Sequence, residues 1–195
     1  MPVGATLSVS YINMKTKELT LTALMAAVIC VLGPIAVPLP FSPVPISLTM
    51  VGVYLAVYAV GMWRGTVAMV LYLLLGLVGL PVFSGYTGGP AKLFGPTGGY
   101  LIGFIFTALI SGFFIDRWWK NRLISALGMV LGIAVAYVFG SAWLAYLNGL
   151  TFAQAMAAGV FPYVGFDLVK IVLIVIVGTE LKKCLIKANL VTAPE

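Results

Sequence analysis

No histidine occurs in the sequence, and only five residues are acidic. The first absence excludes a His-containing zinc site and a Ser-His hydrolase, a reading reinforced by the lack of any Gly-x-Ser-x-Gly. The second leaves paired-carboxylate catalysis without a second member, because only Asp167 lies well inside a long apolar run. Neither a Gly-x-Gly-x-x-Gly between strand and helix nor a Gly-x-x-x-x-Gly-Lys-Ser/Thr loop is present, so the chain cannot hydrolyse ATP alone. Cysteine is scarce as well. Cys30 and Cys184 fall inside the first apolar run and just past the last, at different expected depths, and are read as unbridged.

Charge is the largest deficit, at 8% of residues against about 25% in an ordinary soluble domain. What fills the space is apolar: 62% of the 195 residues are hydrophobic, with a mean hydropathy of +1.14. A water-soluble core of this size could not hide that much apolar side chain. Lipid is the matching solvent, and in lipid only helix bundles and closed barrels satisfy the backbone. Barrel strands alternate apolar and polar residues, whereas Leu19–Leu32, Val67–Leu77 and Ile171–Val177 are continuous runs. The expected fold is therefore all-α and polytopic. Six transmembrane helices are predicted at about 19–36, 47–63, 66–80, 98–119, 122–146 and 160–181.

The net charge of +6 does not point to nucleic acid, because the cations sit in short groups between apolar runs. Lys15, Lys17, Arg64, Arg117, Lys120, Arg122, Lys182, Lys183 and Lys187 all fall in one alternate set of connections. The other set holds Lys92 alone, and Lys170 is within the sixth span. By the positive-inside rule, nine against one puts the N-terminus and the C-terminus in the cytoplasm. Trp63, Trp118 and Trp119 then fall at inner ends of spans, as interfacial anchors do. The chain divides into a cytoplasmic segment at 1–18, a transmembrane domain at 19–187 and a cytoplasmic tail at 188–195. Residues 1–13 precede Met14-Lys15 and are read as a possible non-native extension.

Asp167 and Lys170 are the sharpest chemical feature. Three apart on the sixth span, they share one helix face. A charge at the bilayer centre costs about 2.5–3.5 kcal/mol on insertion scales, so such residues face each other or a cavity. Either a structural ion pair or a polar-ligand site fits. Pro162 near the helix start is positioned to leave backbone groups unpaired beside the same cavity. Asp116 reads as a solvated charge, and Glu180 as a partner for nearby lysines.

Two connections add to this. The segment 37–46 carries Pro38, Pro40, Pro43 and Pro45, which favour a stiff polyproline-type stretch; Val37, Leu39, Phe41 and Val44 would fold it onto the bundle. The segment 84–100 contains six glycines with Tyr86, Thr97 and Tyr100, and reads either as a ligand-contacting loop or as a flexible lid. Small residues four apart form two stripes. Gly128, Gly132, Ala136 and Gly140 suit internal packing, while for Ala23 and Ala27 packing and partner docking stay open.

Leu93-Phe94-Gly95-Pro96-Thr97-Gly98-Gly99-Tyr100-Leu101-Ile102-Gly103-Phe104 closely resembles the BioY family, the biotin-binding S components of energy-coupling-factor (ECF) vitamin transporters. Pro43-Val44-Pro45-Ile46-Ser47-Leu48, Pro81-Val82-Phe83 and the stretch Pro162–Lys170 agree, and the likeness covers about residues 17–187. Where the family is expected to have Thr-Leu-Gln after the loop prolines, this chain has Ser47-Leu48-Thr49, and Phe166 replaces a frequent glycine. The resemblance implies a cell-membrane protein that captures biotin from outside and docks through Ala23 and Ala27 on a membrane coupling protein driven by two ATPase subunits. It implies transport, not enzymatic activity, with biotin as cargo and no cofactor. Asp167 would accept from the ureido N–H groups and Lys170 would donate to the ureido oxygen or the carboxylate. Tyr86, Gly89, Thr97, Gly98 and Ser47 would complete the polar set, with Tyr163 and Tyr100 walling the ring system. An S component for another vitamin, or a membrane scaffold with a structural Asp–Lys pair, are the alternatives.

Overall fold

The structure, a computed structural model, describes residues 3–40 and 42–191, with side chains from residue 16 onward. Phe41 and the last residues of the tail thus lie outside the described residues. In chain order the elements are α1 (Val3–Leu32), β1 (Ala36–Leu39), β2 (Ser42–Ser47), α2 (Thr49–Leu77), α3 (Pro90–Leu93), α4 (Gly98–Trp118), α5 (Arg122–Asn148), α6 (Phe152–Gly159) and α7 (Phe161–Lys187). Among the described residues, α2, α4, α5 and α7 are long and apolar enough to cross a membrane. Large apolar side chains such as Leu131, Val138, Val172 and Ile176 face outward, while Thr107, Ser111, Ser125 and Thr179 are buried. An apolar exterior is what lipid selects, and small hydroxyl side chains turn inward among an apolar core.

Both the second and the third expected span fall within α2, which is not straight. Gly61 has φ +83° and ψ 176°, outside helical space. A Cβ on Gly65 would lie 2.9 Å from Val57 Cα, a contact that eight residues of straight helix, about 12 Å long, cannot make. The two arms therefore fold back on each other, with the turn at Gly61 instead of the expected Arg64-Gly65. The break frees the first N–H groups of the second arm, and the Asp116 carboxylate accepts from Met62 N–H at 2.7 Å. Lys182, buried at 3% exposure, reaches the other oxygen at 3.3 Å. Asp116 is thus a helix-capping and charge-pairing residue, which corrects its reading as a solvated charge. Glu180 behaves as read, pairing with Lys183 at 2.7 Å and Arg122 at 3.5 Å.

Local chemistry accounts for the other boundaries. The Asn121 side chain accepts from Leu123 and Ile124 N–H to start α5, and Gly149 at φ +62° ends it. Thr151 and Gln154 form a reciprocal capping box that starts α6, an element absent from the sequence prediction for this connection. Pro162 sits in the first turn of α7, where no intrahelical N–H bond is required, so the expected disruption does not arise there. The residues Val3–Glu18 are continuous with the first apolar run in one helix, with no backbone boundary near residue 18.

The proline-rich connection forms a two-stranded antiparallel hairpin in place of the expected polyproline segment, with Val37 opposite Ile46 and Ala36 opposite Ser47. Pro43 and Pro45 are two apart, so their missing N–H groups share the edge turned away from β1. The hairpin does fold onto the bundle: Ser42 Oγ donates to Ala158 O at 2.7 Å, and the Tyr163 hydroxyl donates to Val44 O. The glycine stripe of α5 packs internally against α4, as a Cβ on Gly132 would meet Thr107 O at 3.0 Å. Ala23 and Ala27 are exposed, whereas Thr22, Ala26 and Ile29 on the same helix face the bundle. Cys30 and Cys184 are free thiols.

Candidate functional site

The hairpin, α4, α5 and α7 enclose a cavity of about 640 Å³, mouth included. The spacing of the inward residues on α7, with Tyr163, Asp167, Ile171 and Ile174 following helical periodicity, carries Asp167 into it. Its carboxylate is 13% exposed and held by two donors from different elements. Lys170 Nζ lies 2.9 Å from Oδ1, and the Tyr137 hydroxyl on α5 donates to Oδ2 at 2.5 Å. Lys170 also donates to Ser47 O at 2.9 Å, tying α7 to the second hairpin strand. A buried charge pair is tolerated when its remaining donors and acceptors are met, and this arrangement meets most of them.

Around this polar end the walls are apolar, from Ile46, Met50, Leu101, Phe104 and Ile133. Thr97 Oγ1 is buried at the wall, and no hydrogen-bond partner for it is found among the described residues. A second ammonium, Lys92 of α3, also lines the cavity, so the lining carries two lysines and one aspartate. The excess positive charge suits an anionic ligand whose other end supplies N–H donors and whose middle is apolar.

Six of the nine residues expected to bind ligand line this cavity: Asp167, Lys170, Tyr163, Thr97, Tyr100 and Ser47. The other three do not. Tyr86 is 72% exposed at a turn with φ +57°, pointing away from the bundle. Gly89 precedes α3 and donates its N–H to Gly76 O, which ties it to the end of α2. Gly98 is buried under Leu93 and Trp143 at the start of α4. Tyr137, Lys92, Phe104 and Ser84 are cavity residues missing from the sequence reading. A lone tyrosine in an apolar span gives no local signal of its role. Lys92, the single cation of its set of connections, did offer one.

The BioY family profile matches residues 6–187. The Biotin transporter BioY of Rhizobium etli is 38% identical over 174 residues, covering 85% of this chain and 92% of that protein. Biotin transporter BioY2 of Lactococcus lactis is 35% identical over 178 residues, covering 91% and 96%. A crystal structure of the S-component for biotin from an ECF-type ABC transporter superposes with a TM-score of 0.81 at 32% identity, covering 88% of this chain and 93% of that one. With nearly its whole length matched, in sequence and in the path of the backbone, this chain is a member of the BioY family.

Proposed function

We propose that this protein is the biotin-capturing S component of an ECF-type uptake system, and that the cavity beside Asp167 is where biotin binds. The observation that carries the reading is the buried Asp167–Lys170 pair at the polar end of an otherwise apolar cavity whose lining has one cation in excess. Biotin matches it group for group. One of its ureido N–H donors faces Asp167, its rings lie between Tyr100, Tyr163 and Phe104, and its carboxylate meets Lys92 or Lys170. Thr97 and Ser47 complete the polar contacts.

The purified full chain should bind biotin at one site, read by native mass spectrometry and by titration calorimetry. Excess thiamin or riboflavin should leave that binding unchanged. A folded preparation that takes up no biotin, or that surrenders it equally to the other vitamins, would refute the assignment.

The same reading includes the topology. The α2 turn at Gly61 supports counting its arms as two crossings, which with α1, α4, α5 and α7 makes six, with both termini cytoplasmic in the cell membrane. The cavity then opens outward. Docking on a membrane coupling protein energised by two ATPase subunits is assigned to the α1 face containing Ala23 and Ala27, whose exposure leaves it free for a partner helix. Ala27→Leu should keep biotin affinity within about twofold while reducing uptake by reconstituted complex on the order of tenfold. Unchanged uptake in vesicles would move the docking surface elsewhere.

A further inference from the structure

The α2 turn borders a second cavity at the other end of the bundle. Where Gly61 breaks the helix, the turn residues, the end of α4 and the final turns of α7 line a space of about 590 Å³, mouth included. Its innermost cation, Lys182, is about 22 Å along α7 from Asp167. Lys182 is 3% exposed, and among the described residues its ammonium makes one hydrogen bond, to Asp116 Oδ1 at 3.3 Å. That is long for a charge-assisted bond, whose usual range is about 2.7–2.9 Å. The Trp119 ring covers Nζ from 5.9 Å but offers no lone pair. An ammonium carries three donors, so two N–H groups stay uncommitted in a place closed to bulk water. Asp116 divides itself further, because its Oδ2 accepts from Met62 N–H at 2.7 Å. Arg64, the second cation of the lining, gives one nitrogen to Glu18 at 2.9 Å and keeps further N–H donors. The lining thus holds two cations against one carboxylate, and Glu18 beyond it meets only one edge of Arg64.

We propose that this cavity is a phosphate site that takes the headgroup of an anionic phospholipid, with Lys182 and Arg64 donating to the phosphate oxygens. A phosphate is the acceptor such a lining lacks, since it presents several oxygens around one centre to ammonium and guanidinium together. Depth favours a lipid over a dissolved ion. Trp63 is 71% exposed on the cavity rim, and an outward-facing tryptophan at a span end marks the headgroup level. The leaflet follows from the orientation argued above, which makes it the cytoplasmic one, where anionic lipids draw basic pockets between helices. A bound headgroup then joins the second arm of α2, through Arg64, to α7, through Lys182. It completes the polar contacts of the turn without touching the biotin cavity.

The test uses the full chain in detergent, delipidated and then offered phosphatidylglycerol, phosphatidylcholine or inorganic phosphate. Native mass spectrometry reads the lipids and titration calorimetry the ion. Wild type should keep one phosphatidylglycerol under collision conditions that strip phosphatidylcholine. Lys182→Met combined with Asp116→Asn removes the ion pair as a unit, and the asparagine oxygen still caps Met62, so the bundle stays assembled. That double variant should weaken phosphatidylglycerol about tenfold or more, and Arg64→Gln several-fold, with biotin affinity within about twofold in both. Inorganic phosphate that binds wild type and is lost in the same variants, with no preference between the two lipids, upholds the phosphate site and makes a free phosphate its source. Phosphatidylglycerol binding equal in wild type and both variants overturns the proposal. So does a wild type that selects neither the anionic lipid nor the ion. None of these readings depends on orientation. Labelling of the exposed Cys184 by an impermeant maleimide from outside intact cells, in a Cys30→Ala background, would overturn the leaflet and not the site.

Discussion

Asp167→Asn should lower the affinity for biotin by about a hundredfold or more while leaving the helical bundle assembled. The expected size follows from what the carboxylate does. It is an ionised acceptor for Tyr137 and Lys170 in a site mostly closed to water, with its side chain 13% exposed. Charge-assisted hydrogen bonds contribute roughly 1.5–3 kcal/mol each, and removing one partner of a buried charge pair costs about 3–5 kcal/mol. Each 1.4 kcal/mol is about tenfold in a dissociation constant, so a loss near 3 kcal/mol already gives two orders of magnitude. The amide is nearly isosteric, but one of its two termini is a donor. That donor must face Tyr137, Lys170 or the ligand, and each of these already supplies a proton. Calorimetric titration of biotin reads the loss, and the thermal melt of the same preparation reports on folding. Adding Lys170→Met to Asp167→Asn removes the unpaired ammonium and should recover part of any lost stability without recovering affinity. An Asp167→Asn protein that binds biotin as tightly as wild type would place the ligand elsewhere.

What the sequence revealed about this site, and what it hid, follows the range of the interactions concerned. The Asp167–Lys170 pair was legible because both residues lie on one helix and three positions decide whether they meet. Its second donor, Tyr137, was not, since the contact joins two helices through a residue type common in membrane spans. The hairpin shows the same limit. Alternate prolines predict an extended segment that folds onto the bundle, and the segment is extended and does so; pairing of its two halves depends on which edge keeps its N–H groups. At the α2 turn, Gly61 falls inside the expected second span and Gly65 in the expected break, yet Gly61 is the one that turns. Only Asp116, fifty-five residues on from Gly61, distinguishes the one that turns from the one that packs against Val57. The α6 helix is a different case, because Thr151 and Gln154 formed a local signal in plain view. In the glycine loop, only part of the segment that composition marks reaches the cavity. Thr97 and Tyr100 line the cavity, while Tyr86 and Gly98 are carried away from it by a turn and by helix packing.

Gly132→Leu should be strongly damaging to the α4–α5 contact, lowering the melting temperature on the order of 10 °C and removing biotin binding with it. No membrane helix pair can lean on exclusion from water for its association, because lipid is as apolar as the side chains. Close packing and cross-helix hydrogen bonds take that role, and Gly132 contributes to both. Its carbonyl accepts from Thr107 Oγ1 at 2.9 Å, and a Cβ at this position would sit 3.0 Å from Thr107 O and 3.3 Å from Thr107 Cα. A leucine must push α4 and α5 apart. Overpacking costs roughly 1–3 kcal/mol and the lost hydrogen bond about 1 kcal/mol more. For a chain of this size, each 1 kcal/mol moves the midpoint by about 2–4 °C. Gly132→Ala is the graded control. Its Cβ requires a shift of only a few tenths of an ångström, and alanine's helix propensity, better by about 1 kcal/mol, offsets that strain. Leu131→Phe is the positional control, since Leu131 is 45% exposed on the lipid side and a larger apolar group there meets only lipid. Binding should fail together with folding because the wall residues Leu101, Phe104, Ile133 and Tyr137 all belong to these two helices, and separating them opens the cavity. A Gly132→Leu protein that melts with wild type would mean that the α4–α5 contact is looser than the glycine stripe implies, and the geometry that holds Tyr137 against Asp167 would then need another support.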